Sequence, residues 1–251
     1  MKTILLAAGV GQRLGELSSN RPKCLLEFDG ISLLQRHIAI LTHYGINSIT
    51  IVTGYRADLI EQEISESNAT GKIKFIKNDD YKKGSLISML KGLESLKNND
   101  DFLLMDADVL YDHRIIEKLL VTKHTDCFLL DRDFIPGDEP VKLCVRNGQL
   151  VEFRKKIADD LSYDYQGESV GFFRFAKHTA DKLIQSANDY LKQGGDNQPY
   201  EECIRDLLLE NPGHFGFEDI TGLKWLEIDF PEDVIRAKNN ILPAILQIKQ
   251  Q

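Results

Sequence analysis

The stretch that decides the fold comprises residues 1–27, which read MKTILLAAGVGQRLGELSSNRPKCLLE. An apolar run of strand length, Thr3 to Ala7, leads directly into small residues. Small residues after a buried strand let the backbone approach a ligand closely and present its N–H groups to negatively charged oxygens. In an open parallel sheet, ligands bind beyond the carboxyl ends of the strands. The pattern therefore predicts an anion-binding loop at the end of the first strand.

Strand-length and helix-period segments alternate through the first half of the chain. The expected strands span residues 48–53, 73–77, 101–105 and 126–130, and the expected helices span residues 33–44, 56–65, 85–96 and 114–123. Short buried strands joined by helices imply a mainly parallel sheet that is covered on both faces. We therefore predict an α/β fold with a doubly wound, mostly parallel, Rossmann-like sheet.

The pattern changes in the second half. Residues 140–153, PVKLCVRNGQLVEF, predict a small hairpin insertion, because two alternating segments flank Asn147-Gly148, a dipeptide preferred in tight hairpin turns. The remaining expected elements are a strand at 168–175, helices at 179–192 and 200–210, a short strand at 225–228 and a closing helix from Pro231.

Composition narrows the class of protein. A chain of 251 residues with 42% hydrophobic and 28% charged residues is typical of a soluble globular domain. No apolar stretch approaches the ~18 residues that span a bilayer, so we expect a cytoplasmic protein. The net charge of -8 argues against a nucleic-acid surface, although a local cluster of basic residues can still bind polyphosphate. The four cysteines and six histidines show no spacing typical of a metal site.

Two well-known phosphate-binding loops do not match the opening stretch. The dinucleotide fingerprint G-x-G-x-x-G requires glycine at position 14, where this chain has Leu14, with Gly15 one place late. The P-loop requires Gly-Lys-Ser/Thr after four residues, and that sequence is absent. The loop must therefore bind its anion in another way.

The motif that does occur is LAAGVGQRLG followed by RPKCLLE. It resembles the signature L-A-A-G-x-G-x-R-L, then P-K, of nucleotidyltransferases, which activate sugar phosphates or alcohol phosphates with a nucleoside triphosphate. The resemblance implies that Arg13 contacts the β- and γ-phosphates and that Lys23 neutralises charge developing on the α-phosphate. Pro22 would restrict Arg21 and hold Lys23 in a stiff frame.

The resemblance also implies which residues bind the nucleotide. The base-side segment, often N-N-x-x-S in relatives, reads KKGSLISML in this chain. The expected nucleotide-binding residues are Leu6, Ala7, Ala8, Gly9, Val10, Gly11, Ser85, Ser88 and Asp106.

Two acidic segments are candidates for metal ligands. In LLMDADVLYD, Asp106 and Asp108 are two apart on a strand and so project to one side, where both could face one divalent ion. In the family that the chain resembles, the residue equal to Asp108 is the usual ligand, and Asp229 of WLEIDFPEDV matches a second one. Two aspartates with water and phosphate oxygens suit Mg²⁺. Alternatively, Asp106 and Asp229 could cap the helices that follow them.

The later segments resemble one subgroup most closely. They are VTGYRADLIE, LLDRD, VKL, GESVGFFRF, PYEE and TGLKWLEIDFPEDV, which look most like cytidylyltransferases acting on phosphocholine, inositol phosphate or aminoethylphosphonate. The resemblance implies a nucleotide-diphospho-sugar transferase-like fold, CTP as a substrate and Mg²⁺ as the cofactor. A sugar-1-phosphate uridylyl- or thymidylyltransferase is the alternative enzyme. A nucleotide sensor on the same fold is the alternative of another class, although a sensor has no need for a metal pair.

The acceptor side is expected in the second half. Lys142 and Lys155 on the hairpin could bind a phosphate or phosphonate, while Glu168, Tyr200 and Glu201 could contact a cationic or hydroxylated head group. Exposed hairpins commonly carry lysine, so a purely structural reading of the two lysines stays open. We expect one domain over residues 1–251, with a nucleotide-binding half at 1–130 and an acceptor-binding half at 131–251.

Overall fold

The computed structural model describes residues 1–18, 20–67, 71–96 and 100–246, with the backbone alone for residues 16–18. The α-helices are α1 (Leu33–His43), α2 (Ala57–Glu66), α3 (Ser85–Glu94), α4 (Arg114–Val121), α5 (Lys177–Lys192), α6 (Tyr200–Glu210) and α7 (Pro231–Arg236). The strands are β1 (Lys2–Ala7), β2 (Glu27–Phe28), β3 (Ile31–Ser32), β4 (Ser48–Thr53), β5 (Lys72–Lys77), β6 (Phe102–Asp106), β7 (Val109–Tyr111), β8 (Asp126–Asp131), β9 (Lys142–Arg146), β10 (Gln149–Arg154), β11 (Tyr165–Phe175), β12 (Phe215–Asp219) and β13 (Trp225–Glu227).

A large central sheet organises these elements. Its main path runs β10-β9-β11-β6-β1-β4-β5, and β8 joins β11 to β12 at the side of that path. Strands β6, β1, β4 and β5 are parallel neighbours, whereas the long strand β11 runs antiparallel to β6, β8 and β9. The predicted doubly wound α/β fold is confirmed, and β11 adds the antiparallel part.

Helices cover both faces of this sheet because its central strands are apolar on both sides. In β1, Ile4 packs toward α3, α5 and α6, and the next residue, Leu5, packs toward α1, α2 and α4. Both side chains are fully buried, and burying each one contributes ~2 kcal/mol of hydrophobic stabilisation. The carboxyl end of β1 is thereby fixed between two cores.

Local sequence signals set several element boundaries. The Ser32 hydroxyl accepts a hydrogen bond from Gln35 N at 3.1 Å and caps the start of α1. Asn147 and Gly148 have φ values of 52° and 74°, which is the backbone of a tight hairpin turn between β9 and β10. The predicted hairpin is therefore present, and its strand β9 pairs with β11 as part of the central sheet.

Sequence periodicity did not predict three short strand pairings, and one of them brings the candidate active-site acids together. Strand β7 pairs antiparallel with β13, so that Trp225 lies opposite Tyr111 and Glu227 lies opposite Val109. Ile228 N continues the pairing by donating to the carbonyl of Asp108 at 3.0 Å. This register brings the chain after β6 beside the chain after β13. The other two are β2 with β3 and β12 with β8.

A third apolar cluster packs against the pairing between β7 and β13. Leu14, Leu110 and Ile228 pack with Ile241 of the π-helix Ala237–Ile241, which follows α7. Within the described ranges, no helix is long and apolar enough to span a membrane.

Candidate active site

The loop after β1 borders a cavity of about 440 Å³ at the carboxyl edge of the parallel strands. Five of the residues predicted to bind the nucleotide line it, namely Leu6, Ala7, Gly9, Val10 and Gly11. Ala8 is 5% exposed, and its carbonyl instead accepts a hydrogen bond from Tyr55 N at 3.1 Å. The loop is therefore anchored to the end of β4 while its glycines border the cavity.

Two glycines allow the close approaches that shape this cavity. Gly11 has φ +69°, and a Cβ added there would lie 2.7 Å from Cγ of Lys23. A Cβ at Gly54 would lie 2.4 Å from Cβ of Tyr81 and 2.8 Å from the carbonyl of Ala8. Both contacts are shorter than a side chain can tolerate, so the loop, the Lys23 stem and the Tyr81 segment pack together only because glycine occupies these positions.

Lys23 connects the cavity to the two predicted metal ligands. It begins a 3₁₀ turn, Lys23–Leu25, directly after Pro22, which has φ -56°. Its Nζ lies 3.2 Å from Oδ2 of Asp108 and forms an ion pair with Oδ1 of Asp229. Burial alone would lower the pKa of Lys23, but the carboxylates of Asp108 and Asp229 outweigh that effect and raise it. The ammonium group therefore stays charged.

Asp108, Glu227 and Asp229 form a group of three carboxylates. One oxygen atom of each lies within 4.8 Å of the others, a spacing that could hold one metal ion. The Glu227 side chain is partly accessible to solvent. Desolvation by the surrounding protein, and then the negative charges of Asp108 and Asp229, raise its pKa. Three acids this close repel one another unless a cation lies among them, and Lys23 contacts two of them, Asp108 and Asp229.

Glu227 is a site residue that the sequence analysis missed. It precedes Asp229 by two positions in WLEID, so the argument applied to Asp106 and Asp108 could have found it. The alternative role of Asp229 as a helix cap is not what the structure shows. The Asp233 carboxylate caps the start of α7 by accepting from the backbone N–H groups of Phe230 at 2.8 Å and Asp229 at 3.1 Å.

Asp106 lies outside this carboxylate group, contrary to the expectation that it shares an ion with Asp108. Its Oδ2 accepts a hydrogen bond of 2.6 Å from the Tyr200 hydroxyl. Burial and then the charge of Asp108 raise its pKa well above the usual range. Gly171, at φ +76°, leaves space for this carboxylate, since a Cβ there would lie 2.4 Å from Oδ2. The strand ends at Asp106, and the turn that follows directs Asp108 elsewhere.

Arg13 lies at the rim between the loop and the last strand. One guanidinium nitrogen lies 2.9 Å from Oδ2 of Asp229, and the other lies 2.7 Å from Oε2 of Glu139. The same Glu139 oxygen lies 3.2 Å from Nζ of Lys155. Hydrogen bonds from Arg13 and Lys155 lower the pKa of Glu139. Glu139 therefore joins a predicted nucleotide residue to a predicted acceptor residue, although nothing in its local sequence indicates this.

In the base-side segment, the two predicted serines are hydrogen-bonded within the protein. The Ser85 hydroxyl accepts from Tyr200 N at 3.0 Å, and the Ser88 hydroxyl accepts from Nδ2 of Asn78 at 3.0 Å. Both hydroxyls thus bind groups of the chain itself, because α3 packs with Leu86 and Met89 in the core. Lys82 and Lys83 of this segment line the first cavity, together with Tyr81, which directly precedes the segment.

A second cavity, of about 340 Å³, lies on the other side of the carboxylate group. Glu168, Trp225, Glu227 and Asp229 are among its lining residues. Burial and then the charge of Asp131 raise the pKa of Glu168 to about 7. The Trp225 indole donates to Oδ2 of Asp131 at 2.8 Å, which fixes the ring at the wall. The lining is therefore acidic and aromatic.

The other predicted acceptor residues lie in three different environments. Lys142 Nζ donates to the carbonyls of Lys155 at 2.6 Å, Gly137 at 2.7 Å and Pro140 at 3.3 Å, which ties the segment before β9 to the end of β10. Tyr200 is 3% exposed and lies in the core, so the aromatic residues at the cavity are instead Phe134, Trp225 and Phe230. Glu201 is enclosed beside it on α6, and its Oε2 accepts no hydrogen bond from the described residues.

Residues 3–163 match the model of the MobA-like NTP transferase domain. The chain belongs to this family. It is accordingly an enzyme of the nucleotidyltransferase class, as the LAAGVGQRLG and RPKCLLE segments predicted.

Individual relatives of this NTP transferase support the same class. The chain is 26% identical to CTP:phosphoglutamine cytidylyltransferase of Campylobacter jejuni over 93% of this chain and 98% of that protein. It is 22% identical to CMP-5'-(3-aminopropyl)phosphonate synthase of Streptomyces rubellomurinus over 97% of this chain, but spans 39% of that longer protein. The inositol-1-phosphate CTP transferase from T. maritima superimposes with a TM-score of 0.76 at 20% identity, over 98% of this chain and 97% of that one. The predicted nucleotide-diphospho-sugar transferase-like fold is confirmed.

Proposed function

We propose that this nucleotidyltransferase transfers the cytidylyl group of CTP to a small phosphorylated or phosphonylated acceptor that carries a positive charge, with release of pyrophosphate. The observation that carries the proposal is the convergence of Lys23 with the carboxylates of Asp108, Glu227 and Asp229 between two cavities. A reaction between two bound phosphates requires cations at their meeting point and a separate pocket for each substrate.

The two cavities are lined by different halves of the chain, which supports separate sites for the nucleotide and the acceptor. Residues that line the first cavity come from 6–108, within the proposed nucleotide-binding half 1–130. Residues that line the second come from 131–236, within the proposed acceptor-binding half 131–251. In the carboxylate group, Asp108 belongs to the first half of the chain, whereas Glu227 and Asp229 belong to the second. We therefore infer that the nucleotide and the acceptor meet at this group.

The carboxylate group fits Mg²⁺ by its donor set. Asp108, Glu227 and Asp229 offer hard oxygen ligands from two separate parts of the chain, which Mg²⁺ prefers together with water and phosphate oxygens. Desolvation and then the charges of Asp108 and Asp229 raise the pKa of Glu227, and a divalent cation among the three carboxylates would offset both effects. When bound, Mg²⁺ would neutralise negative charge on the reacting phosphates.

The residues of the chain supply orientation and charge. The small-residue loop would present backbone N–H groups to the nucleotide, and Arg13, Lys82 and Lys83 would hold the departing pyrophosphate. The acceptor's phosphate or phosphonate oxygen would attack the α-phosphorus in line, forming one P–O bond as the bond to pyrophosphate breaks. The Lys23 ammonium, which lies between the loop and the carboxylate group, would neutralise charge that develops on the α-phosphate. No covalent enzyme intermediate is required.

The second cavity suits a cationic head group. Glu168 and Asp131 supply negative charge, and Trp225 supplies an aromatic face. Carboxylates and an aromatic ring attract an ammonium group by charge and cation–π interaction. Lys155 lies at the edge, where release from Glu139 would leave it for the acceptor phosphate. An aminated or choline-like acceptor is consistent with relatives named for phosphoglutamine and for aminopropylphosphonate.

A pyrophosphate-release assay tests the proposal. CTP, UTP, ATP and GTP are each combined with phosphocholine, aminoethylphosphonate, inositol 1-phosphate or glucose 1-phosphate in Mg²⁺ buffer. We expect release with CTP and a cationic acceptor. Preference for UTP with glucose 1-phosphate would contradict both choices and favour the sugar-nucleotide alternative, for which the chain has a relative named UTP--glucose-1-phosphate uridylyltransferase at 26% identity. No release with any pair would favour a nucleotide sensor.

A further inference from the structure

We propose a second metal site, formed by Asp126, His178 and His214, that binds a first-row transition metal such as Zn²⁺. Asp126 begins β8, His214 immediately precedes β12, and His178 lies in the first turn of α5. Potential ligand atoms of the three residues lie within 4.8 Å of one another. The three positions are 52 and 36 residues apart in the sequence, so only the fold brings them together.

This site lies at the edge of the sheet opposite the candidate active site. Strands β6 and β8 both run antiparallel to β11 and therefore point in the same direction. Asp106 ends β6, whereas Asp126 begins β8. An ion at Asp126 would consequently be separated from the Asp108 group by the length of the strands.

The Asp126 carboxylate is the strongest indication of a ligand. Its side chain is fully buried, and its Oδ2 lies 2.7 Å from Nε2 of His214. The two atoms are not aligned for a hydrogen bond, and Oδ2 accepts none from the described residues. A buried carboxylate oxygen without a donor is costly, and a cation bound by both groups would remove that cost.

The surroundings orient the group for coordination. The other carboxylate oxygen, Oδ1 of Asp126, accepts from Ala176 N at 2.9 Å, the kind of second contact that fixes a metal-binding carboxylate. The imidazole rings of His178 and His214 pack edge to face with centroids 5.7 Å apart. Both histidines are exposed, so an ion can enter from solvent and retain water as a fourth ligand.

The ligand chemistry selects the class of metal. Two imidazole nitrogens and one carboxylate oxygen suit Zn²⁺, Co²⁺ or Ni²⁺, whereas Mg²⁺ prefers oxygen ligands only. The group should therefore be selective against the ion proposed for the active site. Since its ligands belong to α5, β8 and the chain before β12, a bound ion would also stabilise the contacts among these elements.

A Co²⁺ titration tests the site on the full chain. Co²⁺ is added in excess Mg²⁺, which occupies the active-site carboxylates, and visible d–d absorption reports four-coordinate binding. We expect one equivalent to bind, Zn²⁺ to displace it, and the substitutions His178→Gln and His214→Gln each to lower affinity at least about tenfold, because even outer-shell substitutions cost 10–100-fold. Asp126→Asn, which retains Oδ1 for Ala176 N, should lower it as well.

Two controls separate this site from other binding. His43→Gln replaces an exposed histidine on α1 and should leave Co²⁺ affinity unchanged. Asp108→Asn alters the active-site group and should leave it unchanged too. Zn²⁺ should raise the melting temperature of the wild type but not of His214→Gln. Absorption that survives in both histidine variants, or that disappears in Asp108→Asn, would overturn the proposal.

Discussion

Lys23 and Asp229 form an ion pair across 206 positions of the sequence, with side chains that are 14% and 13% exposed. The pair joins the turn after the small-residue loop to the chain after the last strand. Both groups are mostly buried, but each has a second partner of opposite charge, which for Asp229 is Arg13 at 2.9 Å. Removal of one partner should therefore cost less than the ~3–5 kcal/mol that is typical of a buried pair without other partners. The same ammonium also contacts Asp108, so one lysine balances two acids that we assign to Mg²⁺.

Lys23→Ala should lower kcat by about 100- to 1,000-fold, because it removes a cation that stabilises charge on the α-phosphate. Its loss should also lower the melting temperature, and added Mg²⁺ should restore much of that loss by replacing the counter-charge of Asp108 and Asp229. Pyrophosphate release and thermal melts with and without Mg²⁺ measure the two effects. Lys118→Ala, at an exposed position of α4, is the matched control. A near-wild-type kcat would remove Lys23 from the mechanism.

Asp108→Asn, Glu227→Gln and Asp229→Asn should each raise the Mg²⁺ concentration needed for half-maximal activity, because each removes one charged ligand. The double variant Asp108→Asn/Asp229→Asn should cost less than the sum of the single effects, since both residues serve one ion. Activity is measured across a Mg²⁺ titration.

The control for this series is Glu232→Gln, which removes an exposed acid in the first turn of α7, three positions after Asp229. We expect its Mg²⁺ dependence to match the wild type. If one of the three site variants behaves like this control, that residue is not a ligand.

Glu168→Gln should raise the acceptor KM about tenfold for a cationic acceptor while leaving the KM for CTP unchanged, because the lost contact is on one side only and a charged contact is worth ~1.5 kcal/mol. In the wild type, the pKa of about 7 means that the Glu168 carboxylate loses its charge as the pH falls below 7. The KM for phosphocholine should therefore rise from pH 8 to pH 6, and that rise should be absent in Glu168→Gln. Inositol 1-phosphate, which has a phosphate but no cation, corrects for titration of the phosphate.

Stability gives an independent check on the same carboxyl group. Because the pKa of Glu168 is raised on folding from 4.5 to about 7, the folded chain binds the proton more tightly than the unfolded chain. The wild type should therefore lose stability relative to Glu168→Gln as the pH rises through the interval from 4.5 to 7. Urea denaturation of both proteins at several pH values measures this, and a constant difference would contradict the raised pKa.

Tyr200→Phe should lower the free energy of unfolding by ~1–3 kcal/mol, because it removes the buried hydrogen bond to Asp106. The acceptor KM should not change, since Tyr200 lies in the core. Tyr190→Phe removes a comparable 2.7 Å bond to Asp206 at a partly exposed position and should cost less. A raised acceptor KM in Tyr200→Phe with unchanged stability would restore the sequence-based expectation that Tyr200 contacts the acceptor.

Much of the fold follows from local sequence patterns. The expected strand at 48–53 and helix at 200–210 match β4 and α6 at both ends. Such patterns report which face of a segment is buried and which backbone conformations its residues prefer, and both properties depend on neighbours close in sequence. Strand β12 was missed because FGFED is short and lacks a clear alternation of apolar and polar residues.

The sequence by itself determined the family, the order of the helices α1–α7 and of the longer strands apart from β12, and the loop with Lys23. Only the tertiary structure decided which acids share a site, because pairing between β7 and β13 brings Asp108 to Glu227 and Asp229, and no local pattern encodes that register. The tertiary structure also separated Asp106 from Asp108, since Asp106 bonds Tyr200 of α6 whereas Asp108 lies beside Glu227 and Asp229. Periodicity describes the environment of a residue along its own element, whereas a site is formed by contacts between elements that are distant in the chain.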